Sequence, residues 1–275
     1  MERGKQFLAR TVFRWIPARI GDNRIYMNPA NTMSLFSYLF DVYEWREVQL
    51  IRRLVKAGDT ALDIGANIGY YSLKLSQVVE PRGTVHAFEP DPTNLEILRR
   101  NIGLNSLSNV KVHGFALANF EGPAWLYRSK QNTGDYALSP RSGPAEVPVQ
   151  VICRRLDSLS EEISEPPSIL KIDVQGFEPA VLEGAQRSLN EWQPRPSLLV
   201  EFEPASLTGA GFSPQVFLDS LTKLDYRVGK VSQNLVTPIR PEEHSGYRAW
   251  AGDSSNLIAI PEESRDRFRS LAGPL

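Results

Sequence analysis

The sequence predicts an α/β fold, a mainly parallel sheet with helices on both faces. Short apolar runs alternate with helical stretches, a glycine loop follows directly on one run, and acidic residues close four of them. The first unit is Thr60 to Ser76, TALDIGANIGYYSLKLS. Ala61, Leu62 and Ile64 form a short strand bounded by Gly58 and Asp59, and Tyr70, Leu73 and Leu75 mark the helix beyond the loop. Gly65 and Gly69 let the backbone approach a ligand closely, and the helix start offers unpaired N–H groups. The Gly-Ala-Asn-Ile-Gly spacing lacks the third glycine of G-x-G-x-x-G, which makes room for a pyrophosphate. A nucleotide ligand without a pyrophosphate fits better.

The next strand, Thr84 to Pro90 (TVHAFEP), carries Glu89 near its end, at about the 20-residue distance where an acidic group grips ribose hydroxyls. A helix over Thr93 to Leu104 and a strand over Val110 to Leu117 follow. The pattern is then interrupted. Glu121 to Arg128 and Val147 to Leu156 read as strands around a Ser-, Gly- and Pro-rich stretch, Ser129 to Pro148, which predicts an inserted β-hairpin within about 121–160. Its loop, with Tyr136, is either a mobile substrate contact or a solvated connection. The alternation resumes with the strand Ile169 to Gly176 ending in Asp173, the helix EPAVLEGAQRSLN, and the strand Ser197 to Pro204 carrying Glu201 and Glu203. A helix over Pro214 to Leu224 and strands at Tyr226 to Ser232 and Asn256 to Pro261 close the fold. Gln233 to Ser255 is a long polar connection, and Glu262 to Ser270 reads as a solvated helix.

In open α/β sheets the ligand crevice lies beyond the C-terminal strand ends, where Asp63, Glu89, Asp173 and Glu201 or Glu203 converge. Like charges buried together cost stability unless bonded to donors, so a ligand or cation is their natural compensation. The 275 residues suffice for one large domain with additions, and a net charge of -1 offers no field for nucleic acid. The single cysteine, Cys153, suits packing in a strand and a reducing compartment, which points to the cytoplasm. No apolar run reaches a membrane span, and Ser37 and Asp41 break the longest candidate. At the N-terminus Arg3, Lys5, Arg10, Arg14 and Arg19 interleave with Phe7, Val12, Phe13, Trp15 and Ile16. That pattern makes residues 1–42 a helical extension, packed on the core or in weak contact with a membrane surface. Residues 43–261 are the expected catalytic domain and 262–275 a tail.

The strings LDIGANIGYYSLKL, VHAFEPDPTNLEILRRNIGLN and LKIDVQGFEPAVLEGA resemble the FkbM family of S-adenosylmethionine-dependent methyltransferases, over roughly Tyr43 to Glu203. Tyr43 to Asp59 is similar to the helix leading into the family's first strand, with Glu44 in a familiar position. The resemblance implies a Rossmann-like class I fold, a seven-stranded sheet with an antiparallel last strand, and methyl transfer to a hydroxyl of a small metabolite, natural product, sugar or glycan. One position departs: Gln175 stands where the family commonly has glutamate. With S-adenosylmethionine as cofactor, Gly65, Ala66, Asn67 and Gly69 admit it, Asp63 faces its ammonium, and Glu89 takes the ribose. Asp91 and Asn94 either cap a helix or touch the cofactor, and Ala116 flanks the adenine. Asn119 either bonds the adenine amine or makes a turn.

An alcohol acceptor must lose a proton, and Asp173 is the leading base or positioning group, unless it caps the turn at Gly176. Glu201 shares that task, whereas Glu178 favours a helix start. A divalent cation on Asp173 and Glu201 is the other way to activate the alcohol, disfavoured because no histidine or cysteine stands at ligand spacing. His86 and His113 read as strand residues, and His244 as a loop residue within reach of a crevice. The rival functions are a nicotinamide-dependent oxidoreductase, which lacks its glycine signature here, and a cofactor-binding module without catalysis. No pattern indicates an oligomeric state.

Overall fold

The computed structural model describes residues 17–26, 44–128, 136–138, 148–233, 235–250 and 255–272. The described residues begin with a two-stranded ribbon, β1 (Ala18–Ile20) and β2 (Asn23–Ile25), within the segment expected to be a helical extension; the rest of that segment lies outside the described residues. Helix α1 (Trp45–Leu54) buries Val48, Ile51 and Leu54, one face at helical spacing. Then come β3 (Thr60–Ile64), α2 (Tyr70–Val79), β4 (Thr84–Phe88), α3 (Pro92–Leu104) and β5 (Val110–His113). Asp91 caps α3, accepting from the N–H groups of Thr93 and Asn94 at 2.9 and 3.0 Å, with Pro92 in the first turn.

The expected strand over Val110 to Leu117 is two. At Gly114 an added Cβ would lie 2.9 Å from Leu95, and the chain leaves the main sheet to form β6 (Ala116–Leu117). β7 (Gly122–Leu126) and β8 (Val149–Arg154) pair antiparallel, and β6 lies parallel to β8, so the insertion is a three-stranded sheet rather than a bare hairpin. Most of the stretch 129–148 lies outside the described residues. Tyr136 is described, its ring centre 5.9 Å from the Arg128 guanidinium.

β9 (Ile169–Ile172) precedes α4 (Glu178–Gly184) and α5 (Gln186–Glu191), where one helix was expected. The break has a packing cause: a Cβ on Gly184 would lie 1.9 Å from the Ala118 carbonyl oxygen, so the helix end presses on the chain after β6. The remaining elements are β10 (Ser197–Phe202), α6 (Pro204–Gly209), α7 (Pro214–Lys223), β11 (Tyr226–Ser232), β12 (Leu235–Pro238), β13 (Ser255–Pro261) and α8 (Arg265–Ala272). The terminal helix is not wholly solvated, because Phe268 and Leu271 are buried.

The main sheet has eight strands in the order β12-β11-β13-β10-β9-β3-β4-β5. It exceeds the expected seven because β12 adds to the edge of β11. β13 runs antiparallel to both β10 and β11, while β5, β4, β3, β9 and β10 are parallel. Alternate residues feed two cores: Ala61, Ile169 and Leu199 face one, and Leu62, Leu170 and Leu198 the other. Each fully buried leucine or isoleucine contributes roughly 1.5–3 kcal/mol relative to exposure. β3 is followed in space by β4 on one side and β9 on the other, so the strand order reverses there and opens a crevice at the C-terminal ends. No helix among the described residues is long and apolar enough to cross a membrane.

Candidate functional site

The crevice is shaped by the loop between β3 and α2. Gly65, Asn67 and Gly69 all have positive φ, at 82°, 51° and 98°. At Gly65 the reason is spatial as well: a Cβ there would lie 1.9 Å from the carbonyl oxygen of Asp173, across the switch point. The N–H groups of Gly65 and Ala66 both donate to the Phe88 carbonyl, at 3.0 and 2.9 Å, so the loop is tied to the end of β4. Asn101 of α3 holds the loop from behind, donating to the Ile68 carbonyl at 2.7 Å while bonding the backbone of Tyr26 beyond β2.

Two carboxyls are buried beside the loop. Glu89 accepts from the N–H groups of Asn67 and Asp91, one on each oxygen and both at 2.8 Å, yet burial pushes its carboxyl up to about 8. Asp63 accepts from the Ser72 hydroxyl at 2.5 Å, and burial outweighs that bond and the pull of Lys171 to raise it to about 6. Asn94 lies buried in the first turn of α3. Ala116 is buried in β6 of the smaller sheet, and Asn119 turns elsewhere, its amide donating to Glu183 at 2.7 Å and its carbonyl accepting from Arg155 at 2.6 Å. Asp91 does double work as a cap: its second oxygen meets the Arg128 guanidinium at 2.6 Å.

Opposite the loop, the ends of β9 and β10 carry a second polar cluster. The Asp173 side chain remains 29% accessible, whereas Lys171 beneath it is 1% accessible with its Nζ 3.1 Å from Asp173 Oδ2. The Lys171 ammonium also sits 4.8 Å from the centre of the Tyr71 ring. Gln175 Nε2 lies 3.0 Å from Asp173 Oδ1 and 2.7 Å from Glu201 Oε2, bridging the two carboxyls. Burial by itself would raise Asp173, but Lys171 and bonds from Glu201, Gln175 and Lys171 hold it below the ordinary carboxylate value. Glu201 goes the other way, well above that value, through burial and the charge of Asp173. Tyr71 donates to Glu44 at 2.5 Å, and Asn256 donates to Glu47 at 3.0 Å, walling the cluster from the side of α1.

The turn after β9 is capped by Glu178, not by Asp173: Glu178 Oε1 accepts from the N–H groups of Val174 and Gly176 at 3.0 and 3.1 Å. Asp173 is therefore free of the turn role that competed with chemistry. Glu203 accepts from Ser206 in the first turn of α6, which leaves Glu201 as the β10 carboxyl paired with Asp173. Lys171 and Tyr71 were missed in the sequence reading, although a lysine inside the apolar strand ILKI must find a buried partner. His86 and His113 stack on each other in β4 and β5, and burial lowers both, His86 to about 4. His244 bonds Asp219 on α7 at 2.7 Å. Cys153 is buried, and burial raises its thiol to about 11, as suits a packing residue. Among the described residues no group of three or more His, Cys, Asp or Glu side chains is arranged to hold a metal ion.

A parallel sheet with a glycine loop and an acidic strand end at its switch point defines a nucleotide-cofactor enzyme of the α/β class. Residues 63–228 match the profile of the methyltransferase FkbM domain, more than half of the chain, and the protein belongs to that family of S-adenosylmethionine-dependent methyltransferases. The chain is 30% identical over 187 residues to methyltransferase sdnD of Sordaria araneosa, covering 56% of this chain and 69% of that one. Among solved structures, methyltransferase FkbM from Methylobacillus flagellatus is 16% identical, with a TM-score of 0.43. That alignment covers 94% of this chain and 60% of the other, so this chain spans three fifths of that protein. An O-methyltransferase from Bacillus cereus in complex with S-adenosylhomocysteine is 15% identical, with a TM-score of 0.45 over 79% of each chain.

The raised carboxyls make stability pH-dependent in a direction opposite to that of ordinary ion-paired acids. Burial raises Asp63 from 3.8 to about 6, Glu178 from 4.5 to about 7 and Glu89 from 4.5 to about 8. Between those paired values these carboxyls bind more protons in the folded than in the unfolded chain, so rising pH removes stability; buried His86 and His113, lowered from 6.5, oppose them only below about pH 6.5 and are fewer. Asp173, held below 3.8, acts with the opposite sign, its contribution fading only as pH falls through still lower values. The cofactor-free protein should melt highest near about pH 5 and lose about 5 °C or more by about pH 8. Calorimetric melting across that range checks this; a midpoint that is flat or rises toward pH 8 contradicts it.

Proposed function

We propose that this protein transfers the methyl group of S-adenosylmethionine to a hydroxyl oxygen of a small metabolite, natural product or glycan, with Asp173 as the base. The observation that carries this reading is the accessible Asp173 carboxylate, fixed by Lys171 at 3.1 Å on the strand next to the glycine loop. The residues beside that loop suit the cofactor: buried Glu89 offers oxygens to a ribose diol, and Asp63 a negative charge to the ammonium. Gly65, Ala66, Asn67 and Gly69 let the backbone lie against it, Asn94 would touch it from the start of α3 and Ala116 would flank its adenine, whereas the Asn119 amide is taken by Glu183. The ribose diol would give Glu89 two more donors beside the two backbone N–H groups it holds.

When bound, the cofactor supplies a methyl carbon activated by sulfonium; the carbon–sulfur bond breaks with its electron pair left on sulfur as the oxygen–carbon bond forms. Asp173 takes the proton of the acceptor hydroxyl, and the loop and strand end hold donor and acceptor in line. Lys171 holds Asp173 in its ionised form, which a base requires, whereas burial and the charge of Asp173 favour the protonated form of Glu201.

Two substitutions test the assignment. Glu89→Gln should weaken S-adenosylmethionine affinity about tenfold or more by calorimetry, because an amide replaces one acceptor oxygen with a donor that faces a hydroxyl or a backbone N–H; unchanged affinity contradicts the ribose role. Asp173→Asn should bind the cofactor normally yet lose methyl transfer in a labelled-donor screen of alcohol acceptors by about 100-fold or more. Full turnover in Asp173→Asn, or transfer only to amines, contradicts the oxygen-directed base.

A further inference from the structure

The cluster around Asp173 contains two side chains to which the cofactor and the base assign no task, Lys171 and Gln175. We propose that Lys171 and Gln175 are positioning residues that hold Asp173 and Glu201 as a pair sharing one proton, with the charge on Asp173 and the proton on Glu201. This rests on Asp173 being the acceptor-side base, as argued above.

The geometry is specific on each side of the pair. Lys171 touches one Asp173 oxygen from below at 3.1 Å and is shut away from water, so its charge acts at short range without solvent screening. A single Gln175 amide nitrogen spans Asp173 Oδ1 and Glu201 Oε2 at 3.0 and 2.7 Å. An amide NH2 group has two donors and no charge, which is what joining two carboxyls calls for. Gln175 adopts a left-handed backbone, φ 58°, that aims its side chain back across the strand end, and the next residue, Gly176, lies so close to the Ser206 carbonyl that a Cβ would approach to 2.4 Å. The strain is thus locked in by packing around the bridge.

Two carboxyls this close cannot both ionise cheaply, and one buried ammonium neutralises one of them. Lys171 selects Asp173 because it contacts that carboxyl directly. The other titratable groups that face the pair are Glu44 before α1, Asp63 at the end of β3 and Glu178 at the start of α4. All three are acidic, so they press against any second negative charge and favour the single-proton state. A glutamate at position 175 would put one more carboxyl beside the same cation. The glutamine here therefore leaves the pair with one negative charge opposite Lys171. During transfer the acceptor hydroxyl gives its proton to Asp173, and the pair then holds two.

The test is a carbon-13 carboxyl NMR titration of the full chain labelled in Asp and Glu, from about pH 4 to about pH 9. Asp173→Asn and Glu201→Gln assign the two signals, and S-adenosylhomocysteine affinity by calorimetry reports that each variant keeps its site. In the unsubstituted protein the Asp173 signal should stay ionised throughout, and the Glu201 signal should stay protonated through neutrality. Lys171→Met and Gln175→Glu should each bring the Asp173 midpoint up into the titrated range. In Asp173→Asn the Glu201 midpoint should fall toward the ordinary value. If both carboxyls of the unsubstituted protein titrate together in the ordinary range while S-adenosylhomocysteine still binds, the shared proton is overturned. If Gln175→Glu and Lys171→Met leave both midpoints in place, the positioning roles are overturned. Should Lys171→Met fail to fold, the near-isosteric Gln175→Glu and the unsubstituted titration decide. Turnover retained by Asp173→Asn would overturn the base without altering what the unsubstituted protein's two midpoints show, so the two failures are distinguishable.

Discussion

Much of this protein follows from one close approach, that of Gly65 to the backbone of Asp173. The Asp173 N–H donates to the Ile64 carbonyl at 3.0 Å, and the missing side chain of Gly65 lets the Asp173 carbonyl occupy the place a Cβ would fill. That contact brings the loop after β3 and the end of β9 together at the point where the sheet reverses its strand order. A glycine loop on one side and a carboxylate on the other thereby become two walls of one crevice.

Crowding acid into that crevice sets its electrostatics. Asp63, Glu89, Asp173, Glu178 and Glu201 all lie on or just beyond strand ends, and one buried cation, Lys171, stands among them. The fold divides them by environment. Glu89 and Glu178 are pinned by backbone N–H groups and act as architecture in the cofactor-free state, Glu178 closing the turn after β9. Asp173 keeps its charge because a lysine, an amide and a neighbouring carboxyl stabilise it. A cofactor carrying an ammonium and a sulfonium adds positive charge to a site that sets five carboxyls against one lysine.

Much of this was legible in the sequence because backbone constraints write themselves in residue type. Positive φ and close approach demanded Gly65 and Gly69, and the β3–α2 and β4–α3 units followed from hydrophobic spacing. Tertiary contacts were less legible. The break at Gly184 depends on the Ala118 carbonyl, a residue 66 positions earlier, and the turn at Gly114 depends on Leu95. β12 was hidden because a short edge strand in a polar connection has little periodicity. Within the site, each carboxyl could be placed at a strand end, but its partner could not. Lys171 and Gln175 gain meaning only once β9 and β10 lie side by side.

A crystal structure of the protein with S-adenosylhomocysteine tests most directly whether loop and strand end form one site. The account places the ribose hydroxyls on Glu89 and the thioether sulfur on the crevice side of Asp173. Between sulfur and carboxylate there should be room for a methyl group and one acceptor oxygen at reacting distances of about 3–3.5 Å. A ribose bound to another acid, or a sulfur screened from Asp173 by the glycine loop, would contradict it.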